Sequence, residues 1–192
     1  MKNVLILGAG GNIAGKVIDM LLKEDNIRLT LFLRNACRLK NHETTNCSIV
    51  EGDALNLNDV KNAMAGIDVV YASLAGDLEN MAKNIVRAMD DTGVKRLIFI
   101  SSIGIYDQPL RPVLKPYRRA ADVIEASDLE YTILRPTWFT NADEIDYEIT
   151  RKGEPEKGSV ISQKSLATFI TTMIKSPEQY IRENLGINKP NS

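Results

Sequence analysis

Side chains that bind metals or form disulfides are scarce in this sequence. It contains two cysteines, Cys37 and Cys47, and a single histidine, His42. The two cysteines do not have the spacing of metal ligands, and His42 has no second histidine to act with it. We therefore expect free thiols and no bound metal.

Excess charge and long apolar runs are also missing. The formal net charge is −1, which leaves no long-range field that would recruit nucleic acid or an anionic membrane. One local basic stretch, from Arg111 to Arg119, is more typical of a solvated loop and helix face than of a nucleic-acid patch. The first strand begins almost at residue 1 without a signal-peptide layout, and no apolar run approaches the length of a membrane span. We expect a cytoplasmic protein with a small-molecule partner, and neither a nucleic-acid nor a membrane partner.

The sequence does contain a regular alternation of short apolar runs and amphipathic helical stretches. Its 192 residues, 44% of them hydrophobic, are enough for one core, so a single domain over residues 1–192 is predicted. The alternation predicts an α/β fold with a doubly wound parallel sheet and helices on both faces. Strands are predicted at about 3–7, 27–33, 48–51, 68–73, 96–101, 130–135 (stopped by Pro136) and 159–161. Helices are predicted at about 13–23, 58–66 (with Asn58 as N-cap), 78–92 (closed by Gly93), 116–127 and 162–175.

A glycine-rich turn joins the first strand to the first helix. It reads Gly8-Ala9-Gly10-Gly11-Asn12-Ile13. Glycine allows a sharp turn and lets a pyrophosphate approach the backbone, while the helix N-terminus presents free N–H groups and the positive end of its dipole. Because the turn follows an apolar strand and opens a helix inside a βαβ unit, it predicts a dinucleotide-binding fold of the Rossmann type.

The residue that closes the second strand indicates which dinucleotide is bound. NAD-specific domains place an acidic residue there for the ribose 2′-hydroxyl, whereas this chain has Arg34, with Arg38 one helical turn further on. A guanidinium pairs with a 2′-phosphate, so NADP(H) is preferred over NAD(H). Asp53, followed by Ala54, lies where the adenine edge is expected, although it is nearly as typical of an ordinary turn aspartate.

Several motifs together resemble the atypical, NmrA-like branch of the short-chain dehydrogenase/reductase superfamily. They are the glycine turn, Arg34, Gly52-Asp53, the stretch from Phe99 to Tyr106, and the stretch from Glu130 to Pro136. The resemblance implies that a dinucleotide lies across the carboxyl ends of the strands. It also implies contacts on the adenosine side from Ser73, Leu74 and Ala75, and on the nicotinamide side from Ser101, Ser102 and Pro136.

The chain departs from this family at the catalytic pair. Active members commonly use a tyrosine and a lysine four residues apart, but none of the six tyrosines here has a lysine at that spacing, and the two aligned positions hold Val113 and Tyr117. Tyr117 either acts as an acid, with Lys115, Arg118 or Arg119 stabilising its phenolate, or packs against the pocket. Ser102 either polarises a substrate carbonyl or satisfies the backbone.

Two functions remain open from the sequence. One is an NADPH-dependent oxidoreductase that acts on a small carbonyl, quinone or flavin, with a substrate-side cap formed by residues 103–115 and 137–192. In that cap, Trp138 and Phe139 are either part of the substrate wall or plain core residues, the second being more common. The other function is a non-catalytic NADP(H) sensor that has a protein partner.

Overall fold

The computed structural model describes residues 1–39 and 44–192, so the prediction that His42 binds no metal lies outside the described residues. Its helices are α1 (Asn12–Leu21), α2 (Leu57–Ala63), α3 (Leu78–Thr92), α4 (Lys115–Glu125) and α5 (Gln163–Lys175). Its strands are β1 (Lys2–Leu7), β2 (Ile27–Leu33), β3 (Ser48–Glu51), β4 (Val69–Ala72), β5 (Arg96–Ile100), β6 (Glu130–Pro136), β7 (Trp138–Thr140), β8 (Glu148–Arg151), β9 (Val160–Ser162) and β10 (Glu183–Asn188).

Eight of these strands form the central sheet, in the order β3-β2-β1-β4-β5-β6-β10-β8. The pairs from β3 to β10 are parallel, and β8 closes one edge as an antiparallel strand. The chain runs outward from β1 through β2 to β3 and then returns to form β4 on the other side of β1. The strand order therefore reverses between β1 and β4. Such a reversal opens a crevice at the carboxyl ends of the strands, and ligands bind there in open α/β sheets.

The core lies on both faces of this sheet. Val4 and Ile6 of β1 pack against one face together with α1 and α5, whereas Leu5 and Leu7 pack against the opposite face together with α2, α3 and α4. Successive side chains of a strand point to opposite faces, so the buried part of β1, residues 4–7, must be apolar at every position. This confirms the predicted α/β class with helices on both faces of a mostly parallel sheet.

Both predicted ends of α2 and the predicted end of β6 are wrong. α2 ends at Ala63, three residues before Gly66. The N-cap of α2 is Asn56 rather than Asn58, because the Asn56 side chain accepts from the Asn58 and Asp59 amides. β6 includes Pro136 instead of stopping before it. Its carbonyl oxygen accepts from the Ile103 amide at 3.1 Å, so the missing proline N–H does not end the strand there.

The last two strands of the sheet were not predicted. β10 runs beside β6 and is almost wholly buried, yet it contains Asn184, Gly186 and Asn188. Its buried polar side chains find specific partners in distant segments, so it lacks the apolar pattern of an interior strand. None of the helices in the described part of the chain has both the length and the apolar character that a bilayer span requires.

Candidate dinucleotide and substrate site

The glycine turn after β1 is fixed by backbone contacts to two neighbouring strands. The Gly8 and Ala9 amides both donate to the Phe32 carbonyl of β2, at 2.9 and 3.2 Å. Gly8 has a φ of +84°, and a Cβ at this position would lie 2.1 Å from the Ser73 carbonyl oxygen beyond β4. Both the dihedral angle and the close approach therefore require glycine at position 8.

The N-terminus of α1 is open next to this turn. Gly11 is its N-cap and provides no side-chain hydrogen bond to the first amides of the helix. A Cβ at Gly11 would meet only the Gly8 carbonyl oxygen, at 3.4 Å. Uncapped amides at the positive end of a helix dipole suit a phosphate group, so the residues present fit the pyrophosphate of a dinucleotide.

A cavity of about 640 Å³ extends from the turn across the ends of β1, β2, β3 and β4. The sequence-predicted residues for the pyrophosphate and adenosine all line it: Gly8, Gly10, Gly11, Asn12, Ile13, Arg34, Arg38, Asp53, Ala54, Ser73, Leu74 and Ala75. The fold thus brings residues from four separate segments of the chain to one crevice.

Arg34 and Arg38 both lie in the wall of this cavity with exposed side chains. Across residues 1–39 and 44–192, neither guanidinium forms an ion pair. Glu51, at the end of β3, accepts a hydrogen bond from the Ala36 amide at 2.6 Å. Asp53 accepts from the Leu55 amide at 3.0 Å, which is the contact of an ordinary turn aspartate, while it also lines the cavity.

A second cavity, of about 610 Å³, adjoins the first. Both are lined by Ile13, Ser73, Leu74 and Phe139. The sequence-predicted residues for the nicotinamide side and for catalysis line the second cavity: Ser101, Ser102, Tyr117 and Pro136. The predicted cofactor crevice is therefore continuous with a pocket large enough for a small organic substrate.

Trp138 and Phe139 form part of the wall of this second pocket. Trp138 is 75% exposed and Phe139 is 47% exposed. The interpretation of the two aromatics as core residues is therefore wrong. They belong to β7, which pairs with β9 outside the central sheet, so no layer of the core covers them.

The serines at the end of β5 differ in their contacts. Ser101 is buried, and its hydroxyl has no hydrogen-bond partner among the described residues. Ser102 donates to the Ile103 carbonyl at 3.1 Å. Its hydroxyl thus satisfies the backbone in this structure.

Tyr117 lies on α4, facing the pocket, and also packs against the core. The two arginines that follow it are engaged elsewhere. Arg118 pairs with Asp122 at 2.8 Å, and Arg119 pairs with Glu79 at 3.3 Å. Tyr117 therefore lines the substrate cavity without either guanidinium being free to stabilise its phenolate.

A buried ion pair, which the sequence did not reveal, joins two walls of the substrate cavity. Arg135 of β6 is 1% exposed and donates from Nε to Glu156 at 2.7 Å. The other oxygen of Glu156 accepts from the Gly104 amide at 2.9 Å. Arg135 also donates to the backbone and side-chain oxygens of Asn184. Glu156 thus connects the loop after β5 to the loop between β8 and β9.

The network continues through Glu125 at the end of α4. Glu125 accepts from Asn184 at 2.8 Å, from Tyr106 at 3.2 Å and from Lys152 at 2.6 Å. Burial raises the pKa of Glu125, but the hydrogen bonds from Lys152 and Asn184 outweigh it, so the pKa lies below its usual value. Burial, and then the Glu125 charge, raise the pKa of Tyr106. The network is therefore charged and structural at neutral pH.

The strand order, the glycine turn and the crevice define a dinucleotide-binding protein of the Rossmann class. Comparison with known families agrees, since the model of the NAD(P)H-binding family matches residues 8–177. The chain belongs to this NAD(P)H-binding family.

Two solved structures illustrate this relationship. A Rossmann-fold NAD(P)-binding family protein from Shigella flexneri is 52% identical, with a TM-score of 0.92 over 100% of this chain and 95% of that one. A short-chain dehydrogenase/reductase from Veillonella parvula, solved in complex with NADP, is 27% identical, with a TM-score of 0.88 over 99% of this chain and 95% of that one.

Among curated proteins, the 2-alkyl-3-oxoalkanoate reductase of Shewanella oneidensis is 29% identical over 117 residues. That match covers 55% of this chain and 30% of the relative. The chain thus spans about a third of the length of this curated relative.

Proposed function

We propose that this protein is an NADPH-dependent oxidoreductase acting on a small planar or apolar acceptor, of the quinone, flavin or carbonyl type. The main support is that the crevice at the glycine turn is continuous with an apolar, aromatic-walled pocket. The two cavities share Ile13 and Phe139 in their walls. When bound, the nicotinamide would supply the hydride. The chain's own residues would bind, orient and shield the reactants.

The preference for NADP(H) over NAD(H) belongs to the same proposal. Arg34 and Arg38 provide two guanidiniums without ion-pair partners in the described part of the chain, both in the wall of the crevice. They would pair with a 2′-phosphate by charge-assisted hydrogen bonds. The NADP complex of the Veillonella relative supports this choice by analogy. On the same residue pattern we also assign the chain to the NmrA-like branch. We propose a cytoplasmic location and a small-molecule substrate, and on the near-neutral charge we expect neither a nucleic-acid nor a membrane partner.

Turnover would rely on positioning more than on a side-chain acid. Val113 and Tyr117, at the positions of the usual tyrosine and lysine, both line the substrate cavity. A hydride can pass between two reactants held in the correct orientation, and an acceptor such as a quinone or flavin can take its proton from water. Tyr117 remains the candidate acid for a carbonyl substrate, and Ser102 lines the same cavity.

A spectrophotometric screen tests the proposal. NADPH oxidation would be followed at 340 nm with quinones, flavins and simple carbonyls, and a Tyr117→Phe variant would be assayed in parallel. We expect turnover of a quinone or flavin that changes less than about threefold in the variant, because Arg118 and Arg119, which follow Tyr117, are paired with other carboxylates. Tight NADPH binding with no turnover of any acceptor would refute the oxidoreductase.

That refuting outcome is the result expected of the second candidate, a non-catalytic NADP(H) sensor. The observation that favours this candidate is Val113, an exposed apolar side chain at the position of the usual catalytic tyrosine. A sensor would bind a protein partner with different affinities when NADPH or NADP⁺ is present.

A further inference from the structure

Arg111 stands out among the charged side chains around the substrate cavity. It is exposed, lines the pocket, and in residues 1–39 and 44–192 forms no ion pair. The arginines that follow on α4 are different, because Arg118 and Arg119 are both paired with carboxylates of the protein itself. Arg111 therefore leaves a full positive charge available to a ligand in the pocket.

The two acidic residues that line the same cavity do not cancel this charge directly. Glu156 is neutralised by Arg135 at 2.7 Å and is held by the Gly104 amide. Asp107 is folded back over its own turn. The Asp107 amide donates to the Gly104 carbonyl at 3.1 Å. Its carboxylate lies next to Gly104, since Oδ2 would be only 2.9 Å from a Cβ added there.

The backbone that carries Arg111 is held in one place. Arg111 lies between Pro109 and Pro112 with only Leu110 intervening, and its carbonyl accepts from the Leu114 amide at 2.9 Å at the start of the short 3-10 helix Pro112–Leu114. Proline fixes φ and restricts the residue before it. The guanidinium thus extends from a restrained position beside an apolar wall.

We propose that Arg111 selects acceptors that combine a planar ring with an anionic substituent, a carboxylate or sulfonate on the ring edge. The ring would contact the aromatic wall at Trp138, and the anion would pair with Arg111. This inference rests on the proposed function, because it assumes that the second cavity holds the acceptor.

Binding can be measured without turnover because Trp138 is the sole tryptophan and lines the cavity. Its fluorescence would be titrated with anthraquinone-2-sulfonate and with the neutral 2-(hydroxymethyl)anthraquinone, with and without saturating NADP⁺. The oxidised cofactor has no hydride to give. A free tryptophan amide titrated in parallel corrects for absorption by the quinones.

We expect the sulfonate to bind the wild-type protein about fivefold more tightly than the neutral quinone, as for a favourable, partly exposed ion pair. Arg111→Gln should bring the two dissociation constants together. Asp107→Asn should keep or increase the preference. Arg119→Gln, which removes a paired arginine from the surface of α4, is the matched control and should keep it.

Equal affinities in the wild-type protein, a preference that survives Arg111→Gln, or no quenching by either quinone would each overturn the inference. Sulfonate-dependent quenching that is lost in Arg111→Gln would support it even in a protein that does not oxidise NADPH. The absence of NADPH oxidation would then refute the proposed reaction without refuting the role of Arg111. Failure of the proposed reaction and failure of this inference are therefore distinguishable.

Discussion

Replacing Arg34 by glutamate should abolish the preference for NADPH over NADH. Arg34 closes β2 and Arg38 follows it on the same wall of the crevice, so both would face the 2′-phosphate that distinguishes the two cofactors. The substitution exchanges one of two cations for an anion at this point. It does not touch the glycine turn, which would bind the pyrophosphate of either cofactor.

The size of the effect follows from the exposure of the two side chains. Both are exposed, so each pair with the phosphate should contribute near the upper end of surface ion pairs, about 1 kcal/mol. Two such pairs give roughly 2 kcal/mol, or about a 30-fold preference for NADPH in the wild-type protein. Arg34→Glu removes one pair and adds a repulsion of similar size, which brings the ratio of affinities close to about one.

Isothermal titration calorimetry with NADPH and NADH, at one low and one physiological salt concentration, measures this ratio directly. Arg28→Glu provides the matched control, because it makes the same change of charge on the same strand but at the opposite end. It should leave the ratio within about twofold. Equal affinities for the two cofactors in the wild-type protein, or an unchanged ratio in Arg34→Glu, would refute the assignment of the cations to the 2′-phosphate.

Three further substitutions test the packing of the site by urea denaturation. Gly8→Ala should lower the free energy of unfolding by about 3 kcal/mol or more, because the added Cβ would meet the Ser73 carbonyl oxygen at 2.1 Å. Gly66→Ala, at a φ of +69° but with no atom within 4 Å, should lower it by only about 1 kcal/mol; equal losses would contradict the close approach. Glu156→Gln should lower it by about 3 kcal/mol by leaving a buried guanidinium without its counter-charge. Asp143→Asn removes a charge that is 88% exposed and should leave the free energy of unfolding nearly unchanged; a similar loss in both variants would refute the buried pair. The folded-state pKa of Glu125 is lowered, so its charge stabilises the protein above its unfolded value of 4.5 and ceases to do so as the pH falls through the folded value. The advantage of the wild-type protein over Glu125→Gln should therefore stay nearly constant at neutral pH and shrink as the pH is lowered below 4.5, and a constant difference there would contradict the shift.

The parts of the fold that the sequence predicted share a simple physical cause. Continuous apolar runs such as the one in β1 must be covered on both faces, and helices such as α3 carry their own end signals in Asp77 and Gly93. These signals are local, so they can be read without knowing the rest of the chain. β10 could not be predicted in this way, because Asn184 is compatible with an interior strand only when Arg135 and Glu125 are brought to it.

The sequence by itself determined the dinucleotide crevice of this protein. The glycine turn is made of contiguous residues between a strand and a helix, and its backbone amides would bind the ligand directly. Arg34 directly follows the next strand of the chain, so its place near the turn also follows from sequence order. The tertiary structure alone decided the character of the substrate pocket. Three features depend on segments that are distant in sequence: the pairing of Arg135 with Glu156, the exposure of Trp138 and, among the described residues, the unpaired charge of Arg111. Only packing specifies which of these segments meet.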